Sequence, residues 1–410
     1  MAASNLDPGG VTAGSTARRV WAGLALCGLA LVPGSPRVRA QIGEPGTATR
    51  SPTEKRDPTL DRAAEAAEEA RKAGDLDRAV EIYERALAER PSWTEGRRRL
   101  GAILHVLERW EEVRDAFAGV VAEEPGDASA WLFKGLSELE LGDHDRASSD
   151  LQRARKIGIG DAKLDSVARY HQALLLTRSA SFDDAVGVLT SLAREGYESP
   201  EMIVALGLAL LRLPQLPSEL PPDDRERVVM GGRALHQWAR ARRSAALLSF
   251  EELVLRFPEE PDVHYAFGVF LLLSDPDAAL DEFRRELQVS PDHVPAMLQI
   301  ALESLLRGDA ETALPLARKA VELEPTLPAA RNALGRALLK RGEVDAAIAQ
   351  LERGVELAPR DRAMRFALVS AYRRAGREED AVREREEFEE LDAAANPSPP
   401  DPIGSPGPGS

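Results

Sequence analysis

Six prolines stand at a regular distance along the chain. Pro91 and Pro125 are 34 residues apart, as are Pro291 and Pro325, and again Pro325 and Pro359, while Pro258 precedes Pro291 by 33. A fixed period of this length means one supersecondary unit stacked on copies of itself, since a unit so small cannot bury its own apolar face. The same residue types recur at fixed offsets. Twelve residues before the proline stand Ala79, Ala246, Ala279, Ala313 and Ala347, and eight before it stand Tyr83, Phe117, Phe250, Phe283 and Leu351. Seventeen before it several repeats carry glycine, as Gly74, Gly308 and Gly342. The apolar positions follow helical spacing. The small residue lets two helices approach closely, and glycine supplies the left-handed turn between them. Acidic residues after it, in Gly74-Asp75, Gly142-Asp143, Gly308-Asp309 and Gly342-Glu343, open the next helix against its dipole. Proline closes the repeat because it cannot continue a helix interior.

These motifs resemble the tetratricopeptide repeat family. The matches are Leu100-Gly101, Trp131 with Gly135, Phe267-Gly268, Leu334-Gly335 with Leu338, and Leu368 with Tyr372, joined by the closing pairs Ala246/Phe250, Ala279/Phe283 and Ala347/Leu351. The resemblance implies an all-α, right-handed superhelical solenoid of helix-turn-helix repeats, about nine of them over residues 60–391. The first repeat is degenerate, with Ala63, Ala66, Ala67 and Ala70 at its core positions. The third ends at Lys156-Ile157-Gly158-Ile159-Gly160 without a closing proline, and the fourth is carried mainly by Ala185, Leu189 and Leu192.

Between Met202 and Phe257 the register breaks. Met202 to Leu211 reads as a first helix whose partner does not follow. A Pro-rich insertion near 214–223 comes instead, then a long helix from about Asp224 to Arg242, then a normal second helix ending at Pro258. The insertion either packs locally or forms an exposed polyproline clamp over a groove.

The ends read differently. Arg18-Arg19, an apolar run from Val20 to Val32, a Pro33-Gly34 break and Val38-Arg39-Ala40 make the pattern of a signal peptide over residues 1–40, cleaved after Ala40. An uncleaved inner-membrane anchor is the alternative. Residues 41–59 read as a flexible linker and 392–410 as a disordered Pro-rich tail. Residues 1–40 hold four Arg and one Asp, so cleavage takes the net charge from −15 to −18 and removes the single cysteine, Cys27. A chain this acidic repels phosphate backbones and anionic lipid, which argues against nucleic acid and against a membrane surface unless the signal segment stays. One cysteine leaves no disulfide framework and no cysteine-type metal site.

Chemistry is sparse. The six histidines, His105, His144, His171, His236, His264 and His293, include no pair at helical ligand spacing. Asp143-His144-Asp145 lies in a turn where polar residues cap helices, and neither a nucleophile elbow nor a phosphate loop is present. The repeats leave no room for a catalytic domain. The expectation is therefore no enzyme, no cofactor, no metal and no small-molecule substrate. Through the resemblance, the first helix of each repeat lines a concave groove that holds a protein or peptide partner. The corresponding positions are Leu298, Leu302 and Leu305 in the seventh repeat, Asn332, Arg336 and Leu339 in the eighth, and Phe366, Ser370 and Arg373 in the last. Leu298, Leu302 and Leu305 have the spacing of a core stripe, and extra core is the favoured reading for them. Two functions follow from these readings. One is an exported scaffold, periplasmic or secreted, that captures segments in its groove. The other is a structural part packing side-on in an envelope assembly such as a pilus, secretion, outer-membrane or polysaccharide machine.

Overall fold

A computed structural model describes residues 57–395, and among these are nineteen α-helices and no strand. The described residues divide into two compact parts, the first ending at Leu247 and the second beginning at Leu248. In the N-terminal part, α1 (Pro58–Lys72) packs on α2 (Leu76–Glu89), α3 (Thr94–Val106) on α4 (Trp110–Glu123), and α5 (Ala128–Glu140) on α6 (His144–Ile157). There α7 (Ala162–Arg178) packs on α8 (Phe182–Arg194), and α9 (Pro200–Leu210) on α10 (Arg225–Ala239). The boundary falls within α11 (Arg243–Arg256). In the C-terminal part, α12 (Val263–Leu271) pairs with α13 (Pro276–Val289), and α14 (Val294–Leu306) with α15 (Ala310–Leu323). The last pairs are α16 (Pro328–Arg341) with α17 (Val344–Leu357), and α18 (Arg362–Arg374) with α19 (Glu378–Ala395). Each pair also packs on the next within its part, as a helical repeat fold requires.

The recurrent small and bulky residues meet inside each pair. Ala79, Ala246, Ala279, Ala313 and Ala347 are wholly buried, and so, or nearly so, are Tyr83, Phe117, Phe250, Phe283 and Leu351. The bulky residue of the second helix fills the space a glycine leaves on the first. A Cβ on Gly101 would lie 2.7 Å from the Phe117 ring, on Gly268 2.6 Å from Phe283, and on Gly335 2.5 Å from Leu351. Interlocks of this kind are worth more than their area, because interiors packed to crystal density transmit any added volume as strain.

Gly74, Gly142, Gly308 and Gly342 adopt φ of 81–84°, the left-handed turn their positions predicted. Repeats without that glycine make the turn regardless, with Glu108, Ala180, Arg212 and Ala241 at φ of 50–61°. An L side chain costs about 1–2 kcal/mol there. Asp75, Asp143 and Asp309 each accept the amide three residues on, at 3.0–3.2 Å. Asp143 is thus a helix cap, and its neighbour His144 simply opens α6. Glu343 departs from the expectation. It makes no capping bond, and its longer side chain reaches Arg318 at 3.7 Å instead.

The register break is real but packs differently from its sequence reading. Met202 to Leu211 does acquire a partner: α9 lies directly on α10. A Cβ on Gly207 would fall 1.9 Å from the Val228 carbonyl oxygen, and one on Gly232 1.8 Å from that of Ile203. The predicted long helix is shorter, a 3₁₀ turn at Pro222–Asp224 followed by α10 ending at Ala239. The Pro-rich insertion packs locally. Leu216 rests half-buried against the cluster of Leu132, Leu136, Leu151 and Leu175, and Arg178 donates to the Pro214 carbonyl at 3.2 Å. The segment expected as a signal peptide, the linker up to residue 56 and the tail beyond residue 395 lie outside the described residues. At the near ends the helices run further than expected. Asp57 caps the Thr59 amide at 3.0 Å and starts α1 at Pro58, inside the expected linker, and α19 continues to Ala395.

The two kinds of tight contact should respond differently to one methyl group. Gly335→Ala meets a side chain that can yield, so it should cost about 1–3 kcal/mol. Gly207→Ala meets backbone and should cost more, while Ala180→Gly should gain about 1 kcal/mol by relieving its turn. Amide hydrogen exchange over the affected helix pairs measures each. Equal costs at Gly207 and Gly335 would contradict the backbone contact.

Candidate functional site

The first helices α14, α16 and α18 pack side by side in the C-terminal part. Their inward positions fall at equal offsets from Pro291, Pro325 and Pro359, so the nine expected groove residues form three matching rows. The structure divides them. Leu298, Leu305 and Leu339 are 7–8% exposed members of the core cluster, with Leu302 packed against it. Leu298, Leu305 and Leu339 join Ala313, Ala317 and Leu338 in the core between the helices, and Leu302 is half-buried against it. Their spacing is that of a core stripe, and core is what it builds.

The polar members stand apart. Asn332 and Arg336 are half-buried on α16, Ser370 is half-buried on α18, and Arg373 is exposed. Asn332 Oδ1 is buried without a hydrogen-bond partner. The guanidinium groups of Arg336 and Arg373 make no ion pair among the described residues. Two neighbouring arginines are engaged: Arg341 pairs with Glu311 at 3.1 Å, and Arg374 donates to the Leu339 carbonyl at 2.8 Å. Phe366 is 64% exposed, its ring 5.9 Å from Phe388. The patch therefore offers two uncommitted cations, a hydroxyl and an aromatic face, with an unpaired amide oxygen buried beneath. That set suits an extended chain with a carboxylate. It has no nucleophile–base pair, and among the described residues no group of three or more His, Cys, Asp or Glu could hold a metal ion.

A second arrangement escaped sequence reasoning. Six residues after its ruler proline, a repeat places a donor that turns back onto that proline's carbonyl. Trp131 Nε1 reaches Pro125 O at 3.0 Å, Arg331 Nε reaches Pro325 O at 3.0 Å, and Arg365 Nε reaches Pro359 O at 2.8 Å. The arginines extend onward to the second helix, Arg331 to Gln350 and Arg365 to Glu384, each at 2.7 Å. In the third repeat Lys134 takes the second role, bonding Asp150 and also Glu138 at 2.7 Å. Burial raises the Glu138 carboxyl above its usual range. Comparing the repeats at this one offset would have exposed the pattern in the sequence.

Two histidines of the N-terminal part are buried for packing. His105 stands edge-on to Trp110 and Phe133, and His171 Nδ1 bonds the Val167 carbonyl at 2.8 Å. Burial pushes both down to about 4.

A sequence model of the tetratricopeptide repeat matches residues 70–136 and 304–372. Among solved structures, MamA from residue 41 to its end, from Desulfovibrio magneticus RS-1, is similar at 20% identity over 42% of this chain and 97% of that one, with a TM-score of 0.38. YrrB, described as a tetratricopeptide repeat protein with an unusual peptide-binding site, is similar at 17% identity over 41% of this chain and 89% of that one, with a TM-score of 0.36. No curated protein sequence matches the chain.

Histidines held neutral in the fold stabilise it fully above their unfolded value of about 6.5. That stability is lost as pH falls from there through about 4. Acidification should therefore loosen the helices around His105 and His171, and His171→Leu should move that loss to lower pH. Hydrogen exchange of α3 and α7 in the full chain checks it. Protection constant from pH 7 to 4 would contradict it.

Proposed function

We propose that this chain, a member of the tetratricopeptide repeat family, is a non-enzymatic scaffold that captures an extended segment of a partner protein on α16 and α18. Stacked helical repeats present long binding surfaces and are protein-interaction scaffolds. The observation that carries the finer reading is the pair of uncommitted cations, Arg336 and Arg373, beside the unpaired Asn332 Oδ1 in a chain of net charge −15. A carboxylate or backbone carbonyl of the partner would answer the two guanidinium groups, a backbone N–H would answer Asn332 Oδ1, and the exposed Phe366 would take an apolar side chain. We propose further that the scaffold works after export, on the strength of the signal pattern in residues 1–40.

A side-on assembly role is the second reading. It is favoured by Leu273 and Leu306, which are 89% and 72% exposed at the same offset in consecutive repeats.

The two readings part under charge reversal. Arg336→Glu with Arg373→Glu should weaken capture of an acidic peptide library by at least tenfold, roughly 1.4 kcal/mol, and remove its salt dependence. Leu273→Ser with Leu306→Ser should leave that capture unchanged. If the leucine pair abolished association and the arginine pair did not, the side-on reading would replace groove capture.

A further inference from the structure

One repeat makes the proline clasp from a titratable residue. His264 stands six residues after Pro258, where Arg331 and Arg365 stand in their repeats, and it is 5% exposed. Its Nδ1 lies 2.6 Å from Glu282 Oε2 and its Nε2 lies 3.0 Å from the Pro258 carbonyl oxygen. We infer that the turn from Pro258 to Val263 is a proton-operated clasp, held shut by His264 as an imidazolium that donates one ring N–H to Glu282 and the other to Pro258. A neutral imidazole carries a single N–H. It can serve one of these oxygens, and its bare nitrogen then faces the other at hydrogen-bond distance with nothing to share. Arginine at this offset never meets that choice.

The surroundings favour the charged form. On α13, Glu282 Oε1 takes Arg285 Nη1 at 2.5 Å, which balances part of its charge. The wholly buried Glu286, also on α13, accepts the amides of Asp262 at 3.0 Å and Tyr265 at 3.1 Å. Glu259 lines the same surface cleft as His264 and Arg285, and α11 contributes only Val254 and Leu255 to it. On the far side of the turn, α14 brings His293, which donates from Nε2 to Asp262 Oδ1 at 3.0 Å and accepts the Ala296 amide at Nδ1, also at 3.0 Å. His293 thus uses one proton where His264 uses two. Asp262 itself has φ of 67°, a left-handed conformation outside glycine, so the clasp holds a turn that would relax if released.

The bond to Glu282 raises the proton affinity of His264 above its ordinary value, against the opposing effect of burial. The clasp is therefore fully closed below the unfolded histidine value of about 6.5 and is lost as pH rises through the higher folded value. Release frees the Pro258 carbonyl and the start of α12, and with them one wall of the cleft formed by Leu255, Pro258, Arg285 and Val289.

Nitrogen-15 spectra of the histidine rings in the full chain test this directly, with His264→Gln identifying the signals. At pH 6 both His264 nitrogens should read as protonated. Above the ordinary histidine range the ring should lose a proton. Amide protection over residues 262–268, corrected for intrinsic exchange, should then fall by up to about tenfold per pH unit, the limit for one proton. Glu282→Gln should lower the titration and remove the dependence. A bare His264 nitrogen at pH 6 in the unmutated chain would overturn the clasp, whether or not the variants fold. So would protection over 262–268 that does not change between pH 6 and 9.

Discussion

In three of the helix pairs the two helices approach until a side chain of one occupies the space of the missing Cβ on the other. That contact, Gly101 under Phe117, Gly268 under Phe283 and Gly335 under Leu351, sets what the rest of the chain must supply. A helix pair so close needs a turn of minimal length, which is why the left-handed residue falls at the same place even where Ala180 or Glu108 must adopt it. It also needs few rings. Aromatic residues are 5% of the chain, and those at the interlock act as wedges in a largely aliphatic core. Repeat length, turn chemistry and composition are thus consequences of one distance.

The carbonyl of the ruler proline is the second recurring problem, because a chain leaving a helix exposes backbone oxygen near the next interface. Different repeats solve it with different chemistry: an indole, a guanidinium or an imidazole at the sixth following position. Where that position is Met297, Lys319 reaches the Pro291 carbonyl from the second helix at 2.8 Å. Met297 is buried and Leu316, the counterpart of Gln350 and Glu384, packs against the core, so an apolar pair stands where other repeats hold a polar one. Arg331 and Arg365 are consumed by structure, and Arg336 and Arg373 are not.

The regular repeats were legible because three of their features, the small residue, the bulky residue and the turn, each have a fixed offset and a single physical cause. Ala347, Leu351 and Gly342 do what their positions predict. The α9–α10 crossing was not legible, since a glycine that admits a backbone looks in sequence like a glycine that admits a ring. Of the expected groove, the leucines were ambiguous by nature: core stripe and ligand stripe share the same helical spacing. Asn332 and Arg336 were found by position, but their lack of partners is a three-dimensional fact. The histidines divided in the same way. His105 and His171 are kept neutral by packing and His264 is driven to ionise by Glu282, a distinction that rests on residues distant in sequence.

At the crossing of α9 and α10, Gly207 and Gly232 bring backbone against backbone. A regular repeat can drift, because a change on one helix is answered by a change on its partner, as the replacement of arginine by methionine at one offset is answered by a leucine across the pair. Here the atoms met first are backbone, which no substitution can move. The stretch that looks least patterned in the sequence is therefore the one with the smallest vocabulary: two positions where the genetic code offers a single acceptable letter.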